Sequence, residues 1–151
     1  MPVIRVETRI RASLETCFDL ARSVDLHVRS AALTRETAVG GITSGLLELD
    51  QEVTWEATHL FVKQRLTSRI TIFDRPRHFR DSMVSGAFRR FDHDHIFSEA
   101  DGATLMTDVF DFTSPLGPLG KLADSLLLKN YLERFLKRRA EVIRTEAESR
   151  G

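Results

Sequence analysis

Phe91-Asp92-His93-Asp94-His95-Ile96-Phe97-Ser98-Glu99-Ala100-Asp101-Gly102-Ala103-Thr104-Leu105-Met106-Thr107-Asp108-Val109-Phe110-Asp111-Phe112 reads as two strands folded back on one two-residue turn. Asp101-Gly102 carries that reading, because a type I′ hairpin turn needs positive φ at both central residues. If Ala100 pairs with Ala103, the whole register follows. Phe97 faces Met106, His95 faces Asp108, His93 faces Phe110 and Phe91 faces Phe112. Side chains alternate along a strand, so these eight fall on one face. Five are apolar, and His93, His95 and Asp108 stand among them. The opposite parity holds Asp92, Asp94, Ser98, Thr107 and Asp111, which suit water. The predicted hairpin thus has an apolar face bearing a few polar groups.

Outward from the hairpin, the preceding segments are also strand-like. Thr37-Ala38-Val39 runs into Gly40-Gly41, a turn or bulge signal. Val53, Trp55 and Ala57 share one strand face, Leu66 to Phe73 is β-branched and aromatic up to Asp74-Arg75-Pro76, and Phe79 to Val84 ends at Ser85-Gly86. Residues 3 to 10 form a first strand. Ser13, with Glu15 behind it, opens a helix whose apolar positions are Leu14, Cys17, Phe18, Ala21 and Val24. A second short helix is predicted from Asp25 to about Ala32. After Ser114-Pro115-Leu116-Gly117-Pro118, residues from Leu119 to about Ala147 read as one long helix. Its first half is apolar around much of its circumference, which fits a kink, a covering loop or a dimer contact. Its second half puts Leu128, Leu132, Phe135, Leu136, Val142 and Ile143 inward, with Glu133, Lys137, Arg138, Glu141 and Arg144 outward.

The predicted order is strand, two short helices, about six strands and one long helix. Consecutive strands with short links pair antiparallel. A sheet of that length twists and curls and leaves one apolar face to cover, and the terminal helix is the element long enough to cover it. A bent sheet and a straight helix cannot touch everywhere, so a cavity is expected between them. The class is α+β, in one domain spanning residues 1 to 151.

Composition limits the functions available. The 151 residues carry 22 Lys plus Arg and 22 Asp plus Glu, so no domain-wide basic face offers itself to nucleic acid. The one cysteine, Cys17, excludes an internal disulfide and suits a reducing compartment. No signal-peptide core or membrane span is evident, so the expected location is cytoplasmic, without stable membrane insertion. No GxSxG, GxxxxGK[ST] or GxGxxG occurs.

Several segments resemble the SRPBCC superfamily of START-like, helix-grip proteins, in particular its bacterial ligand-binding and polyketide cyclase/dehydrase-like branch. They are Val53-Thr54-Trp55-Glu56-Ala57-Thr58-His59, Leu66-Thr67-Ser68-Arg69-Ile70, Phe91 to Phe97, Thr104-Leu105-Met106-Thr107-Asp108 and Ser114-Pro115-Leu116-Gly117-Pro118-Leu119-Gly120. The resemblance implies a helix-grip fold. Here a curved antiparallel sheet of six to seven strands wraps a long C-terminal helix, with two short helices after the first strand. It implies carriage of a hydrophobic ligand such as a lipid, quinone or polyketide-like molecule, without a cofactor. A cyclase- or dehydratase-type enzyme and a ligand-free protein-interaction module, with a possible homodimer, are the competing expectations.

The candidate ligand contacts are Trp55, His59, Phe91, His93, His95, Phe97, Met106, Asp108, Phe110 and Tyr131. A histidine beside a carboxylate is held in one tautomer and made more basic, so His95 and Asp108 are also the candidate proton-transfer pair. The same pair reads equally as a hydrogen bond that satisfies two buried groups and fixes register. His93-x-His95 has the same-face spacing of two strand metal ligands, with Asp108 or His59 as a third. No CxxC or HExxH accompanies it, and no metal is expected.

Overall fold

A computed structural model of the chain describes residues 3–59, 61–113 and 127–150, the side chains of residues 33 and 59 excepted. Strand β1 (Val3–Ile10) is followed by helices α1 (Leu14–Ala21) and α2 (Val24–Ser30). Strands β2 (Thr37–Gly41), β3 (Glu52–His59), β4 (Val62–Asp74), β5 (His78–Ser85), β6 (Arg90–Ala100) and β7 (Ala103–Thr113) come next, and helix α3 (Lys129–Arg150) ends the described chain. Among the described residues the sheet has seven strands in the order β1-β7-β6-β5-β4-β3-β2, and every neighbouring pair is antiparallel. The six strands after α2 form a meander, and β1 closes against its far end.

The hairpin turn is as read. Asp101 and Gly102 have φ of 51° and 78°, and Ala100 pairs with Ala103. From there Phe97 meets Met106, His95 meets Asp108, His93 meets Phe110 and Phe91 meets Phe112. All eight side chains are buried. The outward parity differs at one position: Thr107 is buried. It sits in β7 between Ile96 and Glu7, which pair with it from either side and cover it.

Curvature comes from irregular pairing. The register of β4 against β5 shifts between Thr67 and Ser68 and again between Ile70 and Ile72, and β2 shifts against β3 between Ala38 and Gly40. Such bulges bend a strand and increase its local twist. Gly41 is required there: its φ is +66°, and a Cβ would stand 2.2 Å from the Glu52 carbonyl oxygen.

The helices begin where their caps are. The Ser13 side chain accepts from the Thr16 N–H, and the Ser23 side chain accepts from the Leu26 N–H. Helix α1 buries Leu14, Cys17, Phe18, Leu20 and Ala21. Its Phe18 ring meets Phe73, Phe79 and Phe97 at 5.2–5.5 Å between ring centres, filling one end of the concave face. The terminal helix is therefore not the sole cover for the sheet. It runs along β1 and crosses α1 and α2, and it buries Leu136, Arg139, Ala140, Ile143 and Ala147. It continues past Ala147 to Arg150, supported by the one-turn ion pairs Arg144–Glu148 and Arg150–Glu146. The predicted helix start at Leu119, and most of its apolar first half, lie outside the described residues. No described helix is long and apolar enough to cross a membrane.

Candidate functional site

The concave face is filled beneath α1 and hollow beneath α3. A cavity of about 210 Å³ lies there. Val53, Trp55, Ala57, Leu66, Phe79, Phe91 and Phe110 from the sheet face Leu132, Phe135 and Leu136 from the helix, and Leu128 just before it, across the space. Its polar lining includes His93, His95, Asp81 and Arg139, with His27 and Glu36 beyond them.

These polar groups form one connected network. His93 Nε2–H donates to Asp108 Oδ1 at 3.0 Å, and His93 Nδ1 stands 3.9 Å from Asp81 Oδ1. His95 presents its opposite nitrogens: Nε2 is bonded to Asp81 Oδ2 at 3.0 Å, and Nδ1 lies 3.1 Å from Asp108 Oδ1. That last contact is close but misaligned, so His95 Nδ1 has no hydrogen bond of normal geometry. The two imidazoles are packed 3.8 Å apart between two carboxylates, with Phe79 stacked on His95 at 4.1 Å and Phe110 edge-on to His93.

Arg139 reaches the network from α3. Its Nη1 is 3.8 Å from Asp108 Oδ1, its Nη2 donates to the Ala21 carbonyl at 2.7 Å, and its Nε donates to His27 Nδ1 at 3.2 Å. An arginine nitrogen only donates, so His27 Nδ1 must accept and Nε2 carries the proton. Nε2 then donates to Glu36 Oε1, 2.6 Å away. The His27 ring also lies 4.2 Å from Trp55, which fixes the tryptophan at the cavity wall.

Burial and charge act in opposite directions here. Burial alone would raise the Asp108 carboxyl, but its contacts with His93 and His95 hold it far below the usual carboxylate range. The Asp81 carboxyl is likewise lowered: burial opposes ionisation, and His95 and His93 outweigh it. Burial pushes His95 down, yet Asp108 and Asp81 on its two sides leave it above an ordinary histidine. His93 falls below one, through burial and then the charge of His95. Of the two rings, His95 is thus the one that the two carboxylates favour in its charged form, and His93 the one that burial favours as neutral. With its proton on Nε2 facing Asp108, neutral His93 turns the Nδ1 lone pair toward the cavity side of the cluster.

The structure sorts the predicted ligand contacts into two groups. Trp55, Phe91, His93, His95, Phe110 and Tyr131 line the cavity. Phe97, Met106 and Asp108 share their face of the hairpin but do not line it. Phe97 packs under α1 against Phe18 and Phe79, Met106 is fully buried, and Asp108 lies behind the two histidines. The His59 side chain lies outside the described residues. Asp81 and Arg139 were not foreseen. Asp81 pairs with His93 across β5 and β6, and the alternation from buried Phe79 gives it the inward parity. Arg139 is a charge set into the apolar stripe of Leu132, Leu136 and Ile143, and that break in the pattern was the available signal.

No family model matches the chain, and no curated protein matches it in sequence. Solved structures do match. Protein TTHA0849 from Thermus thermophilus is 20% identical, with 94% of this chain and 97% of that one covered and a TM-score of 0.73. A START superfamily protein from Mycobacterium smegmatis is 10% identical over 99% of both chains, with a TM-score of 0.72. Ginseng major latex-like protein 151 from Panax ginseng is 13% identical over 97% of both chains, with a TM-score of 0.66. At these identities the likeness is one of fold, and the fold is the helix-grip fold.

Proposed function

We propose that the chain binds a small, mostly apolar molecule in the cavity between the concave sheet and α3, with the molecule's polar end toward His93, Asp81 and Arg139. One observation carries the reading. The space is walled mainly by aromatic and aliphatic side chains, with a connected cluster of polar groups at His93, His95, Asp81 and Arg139, the usual composition of a small-molecule site. Burying apolar ligand surface stabilises the complex by about 25 cal/mol per Å², before the cost of association. A volume near 210 Å³ suits one or two fused rings or a short acyl chain rather than a full diacyl lipid. A quinone-like or polyketide-like ring bearing a carbonyl or hydroxyl would satisfy both ends of the cavity.

Titration with an environment-sensitive apolar dye tests this. The wild-type chain should bind one equivalent. Ala57→Phe, which drives a ring into the cavity from β3, should abolish binding and cost roughly 1–3 kcal/mol of stability. Equal dye binding by both proteins would remove the proposal.

Proton transfer on the bound molecule is a second reading of the same site, and its geometry favours His93 over His95. Both His95 nitrogens lie 3.0–3.1 Å from carboxylate oxygens, whereas His93 is backed by Asp108 at Nε2 and its Nδ1, 3.9 Å from Asp81, is beyond hydrogen-bond reach of it. His93→Gln should then abolish turnover of an identified substrate while leaving its binding within a few-fold.

A further inference from the structure

Two imidazoles and two carboxylates alternate at the polar end of the cavity, and the alternation has a direction. Asp108 is fully buried and meets His93 at Nε2 and His95 at Nδ1. Asp81, at the cavity wall and about one-fifth exposed, meets the other nitrogen of each ring: His93 Nδ1 at 3.9 Å and His95 Nε2 at 3.0 Å. Four ring nitrogens therefore face carboxylate oxygens, but even with one ring protonated the two imidazoles have only three N–H groups between them. At least one lone pair must then face a carboxylate unless a metal cation stands between them. The Asp108 side cannot be the place for it. That oxygen is already in contact with both rings, and the Arg139 guanidinium lies 3.8 Å away. The Asp81 side is open to the cavity.

We propose that Asp81, His93 and His95 form a binding site for one divalent transition-metal ion of the zinc type, ligated through Asp81 oxygen, His93 Nδ1 and His95 Nε2, with Asp108 orienting both imidazoles from behind. One ligand atom from each of the three residues lies within 4.8 Å of the others. Metal–ligand bonds of about 2.0–2.1 Å in tetrahedral geometry put donor atoms roughly 3.3 Å apart, so the site closes by small side-chain adjustments. Two imidazoles and one carboxylate suit zinc, cobalt, iron and nickel ions better than calcium or magnesium, which take all-oxygen sets. With the ion in place, both rings keep their N–H on the Asp108 side and their lone pairs on the metal. The misaligned contact at His95 Nδ1 becomes a donor–acceptor pair held by the ring's metal bond. A carboxylate on the far nitrogen of a ligating histidine is a recurrent way to fix tautomer and raise ligand basicity. Three protein ligands leave a fourth position, and it faces the apolar cavity, where water or a polar atom of a bound molecule completes the shell. The site does not depend on the cavity holding an organic ligand.

The test uses the full chain stripped with chelator and titrated with Zn2+ by calorimetry, and separately with Co2+ read by visible absorption. One equivalent of Zn2+ should bind, and Co2+ should give the intense visible bands of a tetrahedral ion rather than the faint spectrum of the hydrated one. Asp81→Asn and His93→Gln should weaken Zn2+ binding on the order of 100-fold or more, and Asp108→Asn by roughly 10- to 100-fold. Arg134→Ala, on the exposed side of α3, should change nothing. The Co2+ spectrum of the wild-type chain decides the matter even where a variant fails to fold. A hydrated-ion spectrum, or Zn2+ binding that survives Asp81→Asn and His93→Gln, would overturn the site and leave the four groups as a proton-sharing cluster.

Discussion

The β6–β7 hairpin carries a polar network on each face, built from similar residues and separated by one strand thickness. On the outer face Arg80 donates to Asp94 at 2.8 and 3.0 Å and His78 Nε2 lies 2.6 Å from the same carboxylate, while Arg90 bridges Asp92 and Asp111 at 2.9 and 3.1 Å. On the inner face Asp108, His93, His95, Asp81 and Arg139 stand at comparable distances. Burial separates them. Outer side chains are 16–39% exposed, whereas Asp108 and His95 are 1% exposed. Water solvates each outer ion whether or not its partner is present. Asp108, His95 and Arg139 have almost no water to fall back on, only their protein partners, with Asp81 alone reaching the open cavity, so their geometry is tightly specified and the loss of one member is costly.

That contrast can be broken most directly at Asp108. Asp108→Ala leaves Arg139 without its nearest carboxylate and should lower stability by about 3–5 kcal/mol in denaturant titration. A loss under 1 kcal/mol would put the inner network on the same footing as the outer one. Arg139→Leu keeps the bulk of the helix contact but orphans the Ala21 carbonyl and His27 Nδ1. It should cost roughly 1–3 kcal/mol.

Acid offers a subtler comparison. Because the fold keeps Asp108 ionised far below the usual range, the unfolded chain takes up a proton there that the native chain refuses. This contribution to stability is complete above about pH 4 and is lost as the pH falls below it toward the lowered native value. Chelator-treated Asp108→Asn should therefore show a shallower acid limb than the wild-type chain. Identical limbs would contradict the assigned charge state.

The smallest effect belongs outside. Arg80→Ala should cost less than about 1 kcal/mol, and that difference should shrink in high salt. A larger, salt-insensitive cost would mean the outer pairs are not solvated as their exposure indicates.

How much of this was readable in the sequence depended on how each residue is tied to its neighbours. Asp101-Gly102 is a two-residue turn, so it set the register of β6 against β7 and brought His95 opposite Asp108 without any knowledge of the rest. Asp81 reaches the same cluster through the β5–β6 pairing, whose link from Gly86 to Arg89 is too long to set a register by itself. Arg139 comes from a helix 31 positions beyond Asp108 in the chain, and no local rule brings the two together. The hollow under α3 was foreseen from curvature alone. That Phe97 would fall in the filled end was not, because it depends on where Phe18 of α1 comes to rest.

The account rests on the space beneath α3 being occupied by an apolar molecule rather than closed by the protein. Native mass spectrometry of the gently purified chain, followed by organic extraction of the same sample, tests this most directly. The expected result is a one-to-one adduct, lost on extraction, whose released component is a small ring-bearing or acyl compound, and Ala57→Phe should emerge without it. A wild-type chain that stays adduct-free after exposure to a broad set of such compounds, with stability unchanged by any of them, would contradict it.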